Sequence, residues 1–473
     1  MTRTMPAAKL IHSSLVLKVV LLLLSSAFAG HVTGAGSLSN TLRSEPTPYI
    51  GDEELPERTP PIIELGADFL GTGNLHPGFR LPTGAIWQPS LWVYGTLRSS
   101  LQHYDSGGGA PAVNELANRL DLFANLQLTG TERIVLGLTP LHDDAVFSGF
   151  TSQGNGRRTV NGFNADTEVL FFEGDLAELF PNWDADDSSP NDIGFSVGRQ
   201  TIVFQDGFLI NDILDGVGFS KNNVVMPGVG WLTNWRSSVF YAWDNVHRFD
   251  MEDESAKLYA WFNQLDTVRR TINIDFAYVS SDDFGDLYGY AIDSTQRFGL
   301  INTTFRVAGS ITDEASSLAD DGTLLFSEVS WTPAHTHNIA YVNAFIGIGN
   351  FTPIANGPTQ GGPLGRTGIL FAARGIGSFP PALSTSVKES YGIATGYQLF
   401  FGEQYRARRQ VILEVGTRAT DDDLGREEKQ FAVGFRFQQA LGRRFVWQLD
   451  GFVADSNTLG ILSGFRTELL VKF

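Results

Sequence analysis

The 473-residue chain contains no cysteine. A disulfide scaffold, a thiolate metal or haem site and thiol catalysis are therefore excluded. Positive charge is short: 34 Lys and Arg stand against 52 Asp and Glu, a formal net charge of −18, which argues against nucleic acid as a partner. Long apolar runs are missing too. The run Val19-Val20-Leu21-Leu22-Leu23-Leu24 is soon broken by serines and small residues, and nothing beyond it approaches the roughly 20 apolar residues that a spanning helix needs. Methionine is scarce, at four, whereas 51 glycines and 12% aromatics suit many strands with tight turns better than a helical bundle.

What is present begins with Arg3, Lys9 and Lys18 before that apolar run, followed by Ala27-Phe28-Ala29. This is the pattern of a secretory signal peptide, residues 1–29, with cleavage after Ala29 or, alternatively, after Ala35. Its loss takes the net charge to −21. An exported chain without a spanning helix can cross a membrane only as a closed barrel, because only helices and closed barrels satisfy every backbone hydrogen bond in hydrocarbon. Residues 30–85, with Ser44-Glu45-Pro46-Thr47-Pro48 and Thr59-Pro60-Pro61, bury little and read as a flexible periplasmic lead-in.

Residues 86–473 read as a transmembrane antiparallel β-barrel. Strand-length segments of alternating polarity fall at 90–104, 115–129, 132–144, 166–174, 192–204, 214–222, 235–247, 256–264, 270–280, 286–295, 298–310, 323–332, 336–349, 388–401, 407–418, 428–440, 444–455 and 463–473. That makes eighteen, or sixteen if the weaker segments at 166–174, 214–222 and 286–295 fail. The last stretch alternates Phe465, Thr467, Leu469, Val471 and Phe473 with Arg466, Glu468 and Lys472, and its terminal aromatic resembles the signature of bacterial outer-membrane barrels. Counting back from Phe473 at the periplasm, connections such as 441–443 and 296–297 are short, whereas 350–387 and 311–322 on the other side are long. Two periplasmic connections, 175–191 and 223–234, are exceptions and suggest short helical or plug-like elements. A soluble sandwich would show similar alternation. It would not account for the signal peptide, the terminal aromatic and the loop lengths together.

Eighteen strands enclose a lumen too wide for wall side chains to fill. Inward parity falls on Arg98, Arg119, Asp121, Asp275, Arg306, Glu328, Glu414, Arg418, Arg436, Asp450, Arg466 and Glu468, and on the aromatics Trp92, Tyr94, Phe123 and Tyr341. Arginine offers a fixed planar fork for carboxylates and phosphates, although these charges could equally pair with one another across strands. Aromatic faces suit sugar rings or an inserted loop. Connection 350–387, with Gly357-Pro358-Thr359-Gln360-Gly361-Gly362-Pro363 and Arg366, is the candidate gating loop.

The stretch Val197-Gly198-Arg199-Gln200-Thr201-Ile202-Val203-Phe204-Gln205-Asp206-Gly207 resembles the glycine-arginine-glutamine strand and aspartate-glycine loop of the alginate-export family of outer-membrane barrels. The resemblance implies a monomeric passive conduit for a polyanionic saccharide, with an arginine-rich constriction and a possible periplasmic export partner. Arg199 shares parity with the lipid-facing Val197, so a bulge at Gly198 turning it into the lumen is expected; a regular strand would instead place it near the membrane interface. External acidic groups such as Asp421-Asp422-Asp423 suit solvated loops, or cations at a lipopolysaccharide surface. A general or small-solute porin is the alternative function, and an adhesive barrel the second. No cofactor or metal site is indicated. Neither His142-Asp143-Asp144 nor His335-Thr336-His337 has a nucleophile or ligand set at a recognisable spacing, so the sequence is not read as that of an enzyme.

Overall fold

The computed structural model describes residues 59–69, 77–183, 192–249, 251–316, 318–373, 375–403, 406–421 and 427–473. The candidate signal peptide and residues 30–58 of the lead-in lie outside them. Eighteen antiparallel strands close into one barrel. They are β1 (Ser90–Asp105), β2 (Val113–Gln127), β3 (Arg133–Leu138), β4 (Thr167–Asp175), β5 (Ile193–Phe204), β6 (Ile210–Val224), β7 (Leu232–Asp244), β8 (Lys257–Thr267) and β9 (Arg270–Ser280). There follow β10 (Leu287–Phe298), β11 (Ile301–Thr312), β12 (Gly322–Trp331), β13 (Ile339–Gly349), β14 (Ser390–Glu403), β15 (Arg406–Asp421), β16 (Glu427–Leu441), β17 (Phe445–Ser456) and β18 (Gly460–Lys472). Each of the eighteen expected segments holds a barrel strand, including the three weaker ones. No helix among the described residues is long and apolar enough to cross a membrane.

Closure is made by β18 on β1, from Ser463 opposite Asp105 to Lys472 opposite Thr96. Phe473 completes it by exchanging backbone hydrogen bonds with Gly95, 2.8 and 3.1 Å. A side chain at Gly95 would meet the Phe473 ring at 2.9 Å and the Asp121 carbonyl at 2.3 Å, so the seam needs glycine there. Below Phe473 the free edge of β1 is taken by Ile63–Leu65, which pairs antiparallel with Leu91–Val93. This end of the lead-in is therefore part of the sheet.

Alternation builds the two surfaces, because successive strand residues point to opposite faces. Val239, Trp261, Phe276, Ile292, Val307, Leu413, Val433, Val453 and Phe465 are exposed on the outside. Near the long-loop end, Tyr241, Tyr259, Tyr278 and Tyr288 form a row over β7 to β10 with ring centroids 5.0, 6.1 and 4.6 Å apart. An apolar band with aromatics at its border suits an outer-membrane barrel.

Two details depart from the sequence reading, at 132–144 and 223–234, and one, at 175–191, agrees with it. The segment 132–144 is not one strand: β3 stops at Leu138, and Pro140, lacking an N–H, ends the ladder. The chain then forms a hairpin, Val146–Gln153 with Gly156–Val160, whose first strand pairs with the upper half of β2. Connection 175–191 holds a four-residue helix, Leu176–Leu179, capped by Asp175, and a turn of 3-10 helix at Pro181–Trp183; residues 184–191 lie outside the described set. Connection 223–234 contains no helix, because β6 and β7 extend into it and leave only a turn.

Candidate functional site

The long connection after β13 folds into the lumen. Ala355–Asn356 adds a short parallel strand to β6 at Ile210–Asn211, and Asn211 Nδ2 donates to Gln360 Oε1 at 3.1 Å. On the opposite wall, Ile369 N–H donates to Glu414 Oε2 at 2.7 Å, and Ser378 N–H to Glu115 at 2.8 Å. The connection thus spans the barrel from β6 to β15 and β2. Phe371, Ile354, Leu364, Leu370, Ile376 and Leu383 are almost fully buried against wall residues, giving the wide barrel an internal apolar core. Gly368 makes one anchor possible. It has φ +58°, and a side chain there would lie 2.6 Å from the Glu414 carboxylate.

Most of the expected lumen arginines are neutralised within the wall. Arg98 grips Glu468 with two hydrogen bonds, 2.6 and 3.0 Å, and Arg119 pairs with Asp121 at 2.9 Å. Both also donate to the Gly375 carbonyl of the inserted connection, each at 3.3 Å. Asp450 is shared by Arg436 at 2.6 Å and Arg466 at 2.8 Å. Arg418 donates to the Ser386 carbonyl at 2.9 Å and to the Ser384 carbonyl, so it tethers the connection rather than facing an open path.

Arg306 is held from the β5–β6 turn. Its Nε donates to Gln205 Oε1 at 2.8 Å and its Nη2 to Asp206 Oδ2 at 2.6 Å, while its guanidinium lies 4.7 Å from the Phe208 ring centroid. Gln205 and Asp206 both adopt positive φ, 55° and 54°, a strained conformation for side-chain-bearing residues. Sequence parity did not reveal this latch, although the Asp206-Gly207 dipeptide marked the turn that carries it.

The expected inward turn of Arg199 does not occur. β5 keeps an unbroken register with β4 and β6, so Arg199 lies opposite Asp215 on the face of Val197 and is joined to it at 2.7 Å. Gly198 takes φ +123° without adding a residue to the ladder. Asp215 lies beyond Val217, the partner of Tyr241 in the aromatic row, toward the long-loop end. The charge pair therefore sits at the interface, where its cost is small. Trp92 and Tyr94 do face inward, but the lead-in covers them. Phe69 packs on Trp92 at 5.3 Å and Tyr94 at 6.4 Å, and Trp92 Nε1 donates to the Ala67 carbonyl at 2.8 Å.

Two polar cavities lie along the wall, the second of them lined in part by the inserted connection. One, of about 490 Å³, lies along β5 to β11 and is lined by Asp206, Asn222, Arg236, Gln264, Asp275 and Arg306 among others. The second, of about 410 Å³, is lined by Arg98, Arg119, Thr359, Gln360, Gln448 and Glu468 among others. Arg236 lines the first cavity and Arg366, on the inserted connection, lies beside the turn at Gly207; both are exposed, and neither forms an ion pair among the described residues. In the short-turn half of the lumen four glutamines on consecutive strands join side chain to side chain: Gln398 donates to Gln410 at 2.7 Å, Gln410 to Gln438, and Gln438 to Gln448. Gln448 then donates to Asp450 at 2.7 Å.

A closed eighteen-strand barrel with an apolar outer band and a loop-narrowed polar lumen has the fold of an outer-membrane porin, consistent with a bacterial outer membrane. Structures with this fold include OccK7 (OpdD) of Pseudomonas aeruginosa, at TM-score 0.52 and 10% identity over 81% of this chain and 98% of that one. OccK2 (OpdF) of the same organism, in complex with glucuronate, matches at TM-score 0.52 and 11% identity over 81% and 98%. The P. aeruginosa outer-membrane protein opdK matches at TM-score 0.51 and 10% identity over 80% and 98%. No family model and no curated protein matches the chain.

Proposed function

We propose that this protein is a passive outer-membrane channel for small polar solutes, with sugar acids and similar small carboxylates as the solute class. The observation that carries this is the inserted connection, which crosses the lumen from β6 to β15 and lines the smaller of two polar cavities, of about 490 and 410 Å³. Such volumes match small-molecule sites, which run from roughly 300 to 1,000 Å³. The exposed Arg236 and Arg366 supply attraction for a carboxylate, and the paired wall charges supply a polar surface without a strong field of one sign. That a structural neighbour is complexed with glucuronate supports the same size and chemistry. Export of a polyuronate has less support. Arg199, central to that resemblance, pairs with Asp215 on the outer face, and the other arginines named for the constriction are largely engaged by wall carboxylates or by the inserted connection.

Single-channel conductance in a planar bilayer tests this reading. Glucuronate should block in a saturable manner, and Arg236→Ala or Arg366→Ala should weaken the block. Block by oligouronate alone would favour the polymer conduit, and a channel indifferent to both would be a general porin. No conductance under any condition would point to an adhesive or structural barrel.

A further inference from the structure

The turn between β8 and β9 is built to expose what turns normally avoid. Thr267 Oγ1 donates to the Arg270 carbonyl at 2.9 Å and accepts from the Arg269 and Arg270 N–H groups at 3.3 and 3.1 Å, so the turn is rigid. At its tip Val268 is 81% exposed. Leu232 pairs with Thr267, which sets Trp231, 59% exposed, beside the tip. Loop tips facing water favour small and polar residues, so a β-branched apolar side chain and an indole here call for an apolar neighbour.

Between them lies a cavity of about 450 Å³ lined by Trp231, Thr267, Val268, Arg269, Arg270 and Ile272. Its position fixes its surroundings. Ile272 and Arg270 belong to the parity of Phe276, which faces lipid, so the cavity opens on the outside of the barrel at its short-turn end. Neither arginine forms an ion pair among the described residues. The neighbouring carboxylate, Asp266, is turned inward, accepting from Thr271 Oγ1 at 2.8 Å and Asn234 Nδ2 at 3.2 Å. In a chain of net charge −18, two unopposed arginines above an apolar slot at the membrane boundary are a complementary surface for an anion that carries its own hydrocarbon.

We infer that this cavity holds one anionic phospholipid of the periplasmic leaflet, its phosphate on Arg269 and Arg270, its glycerol region against Trp231, and an acyl chain running down past Ile272. The proposal is independent of what the lumen conducts. Native mass spectrometry of the detergent-solubilised barrel, titrated with phosphatidylglycerol or with phosphatidylcholine of the same chains, tests it. The wild-type protein should retain one phosphatidylglycerol in preference to phosphatidylcholine. Arg269→Ala with Arg270→Ala should weaken that retention about thirtyfold, the combined effect of two arginines near a membrane surface. The Arg269→Lys, Arg270→Lys pair, which keeps the charge, should restore most of it. Equal retention of the two lipids by the wild-type barrel, or unchanged retention by the alanine pair, would overturn the assignment. The first comparison needs no variant, so misfolding of the alanine pair would not shield the proposal.

Discussion

Removing the Glu414 carboxylate should open the channel. This side chain is 2% exposed and receives the Ile369 N–H at 2.7 Å, the Leu370 N–H at 3.4 Å and the Tyr341 hydroxyl at 2.5 Å. Glu414→Ala leaves these donors without an acceptor, at about 1–3 kcal/mol for each buried group that finds no substitute. The Leu370 contact is long and the tyrosine can rotate, so the net loss to segment 366–372 should be roughly 3 kcal/mol, a factor of about a hundred in the population of the released segment. The remaining tethers at Asn211, Glu115 and Arg418 hold the ends of the connection. The barrel itself should stay closed. In a planar bilayer the variant should show higher unit conductance with frequent excursions to a still higher level, while Glu414→Gln, which keeps one acceptor oxygen, should fall between. Conductance identical to wild type in a folded Glu414→Ala barrel would refute the idea that this anchor sets the bore.

Arg306→Ala should free Asp206 and Asp293 at the larger cavity, moving the reversal potential in a salt gradient toward cation selectivity; an unmoved potential would count against a conducting role for that cavity. Arg199→Ala, by contrast, should leave conductance unchanged, because its pair with Asp215 is on the outer face; a conductance change would place it in the path after all. Phe69→Ala should loosen the lead-in from Trp92 and Tyr94 and speed its proteolysis in the folded protein. His142 stacks on Phe147 at the base of the loop-side hairpin, where burial and then Arg119 lower its pKa to about 4. With the folded value below the unfolded one, its neutral form is favoured by folding. That contribution is present above about pH 6.5 and is lost as pH falls toward 4. A His142 proton resonance, assigned by its loss in His142→Gln, that titrated near pH 6.5 would contradict this burial.

The wall was legible in the sequence because a sheet between lipid and water writes its alternation into every strand, even the weaker 166–174 and 286–295. The hairpin at 146–160 escaped, although its two-residue Gly154-Asn155 loop, with Gly154 at φ +55°, is a recognised hairpin signal. Inside the barrel, parity assigned residues to the inward face but could not name their partners. Arg98 meets Glu468 across 370 positions, and Tyr94 meets Phe69 from a segment too polar to look like packing material. Arg199 was misread for a different reason. A glycine with positive φ can sit in a strand without adding a residue, and only the register on both sides shows that it has.

The row Gln398, Gln410, Gln438 and Gln448 has a consequence for anything that moves past it. Each amide can give and take a hydrogen bond, carries no net charge, and stands one strand, about 4.8 Å, from the next. A hydroxyl-bearing solute can exchange one amide for its neighbour without ever losing a partner and without meeting a site much deeper than the last. For the small polar solutes proposed above, such a surface would work as a rail: the solute would stay wetted along this row, and its speed there would be set by how evenly the steps match.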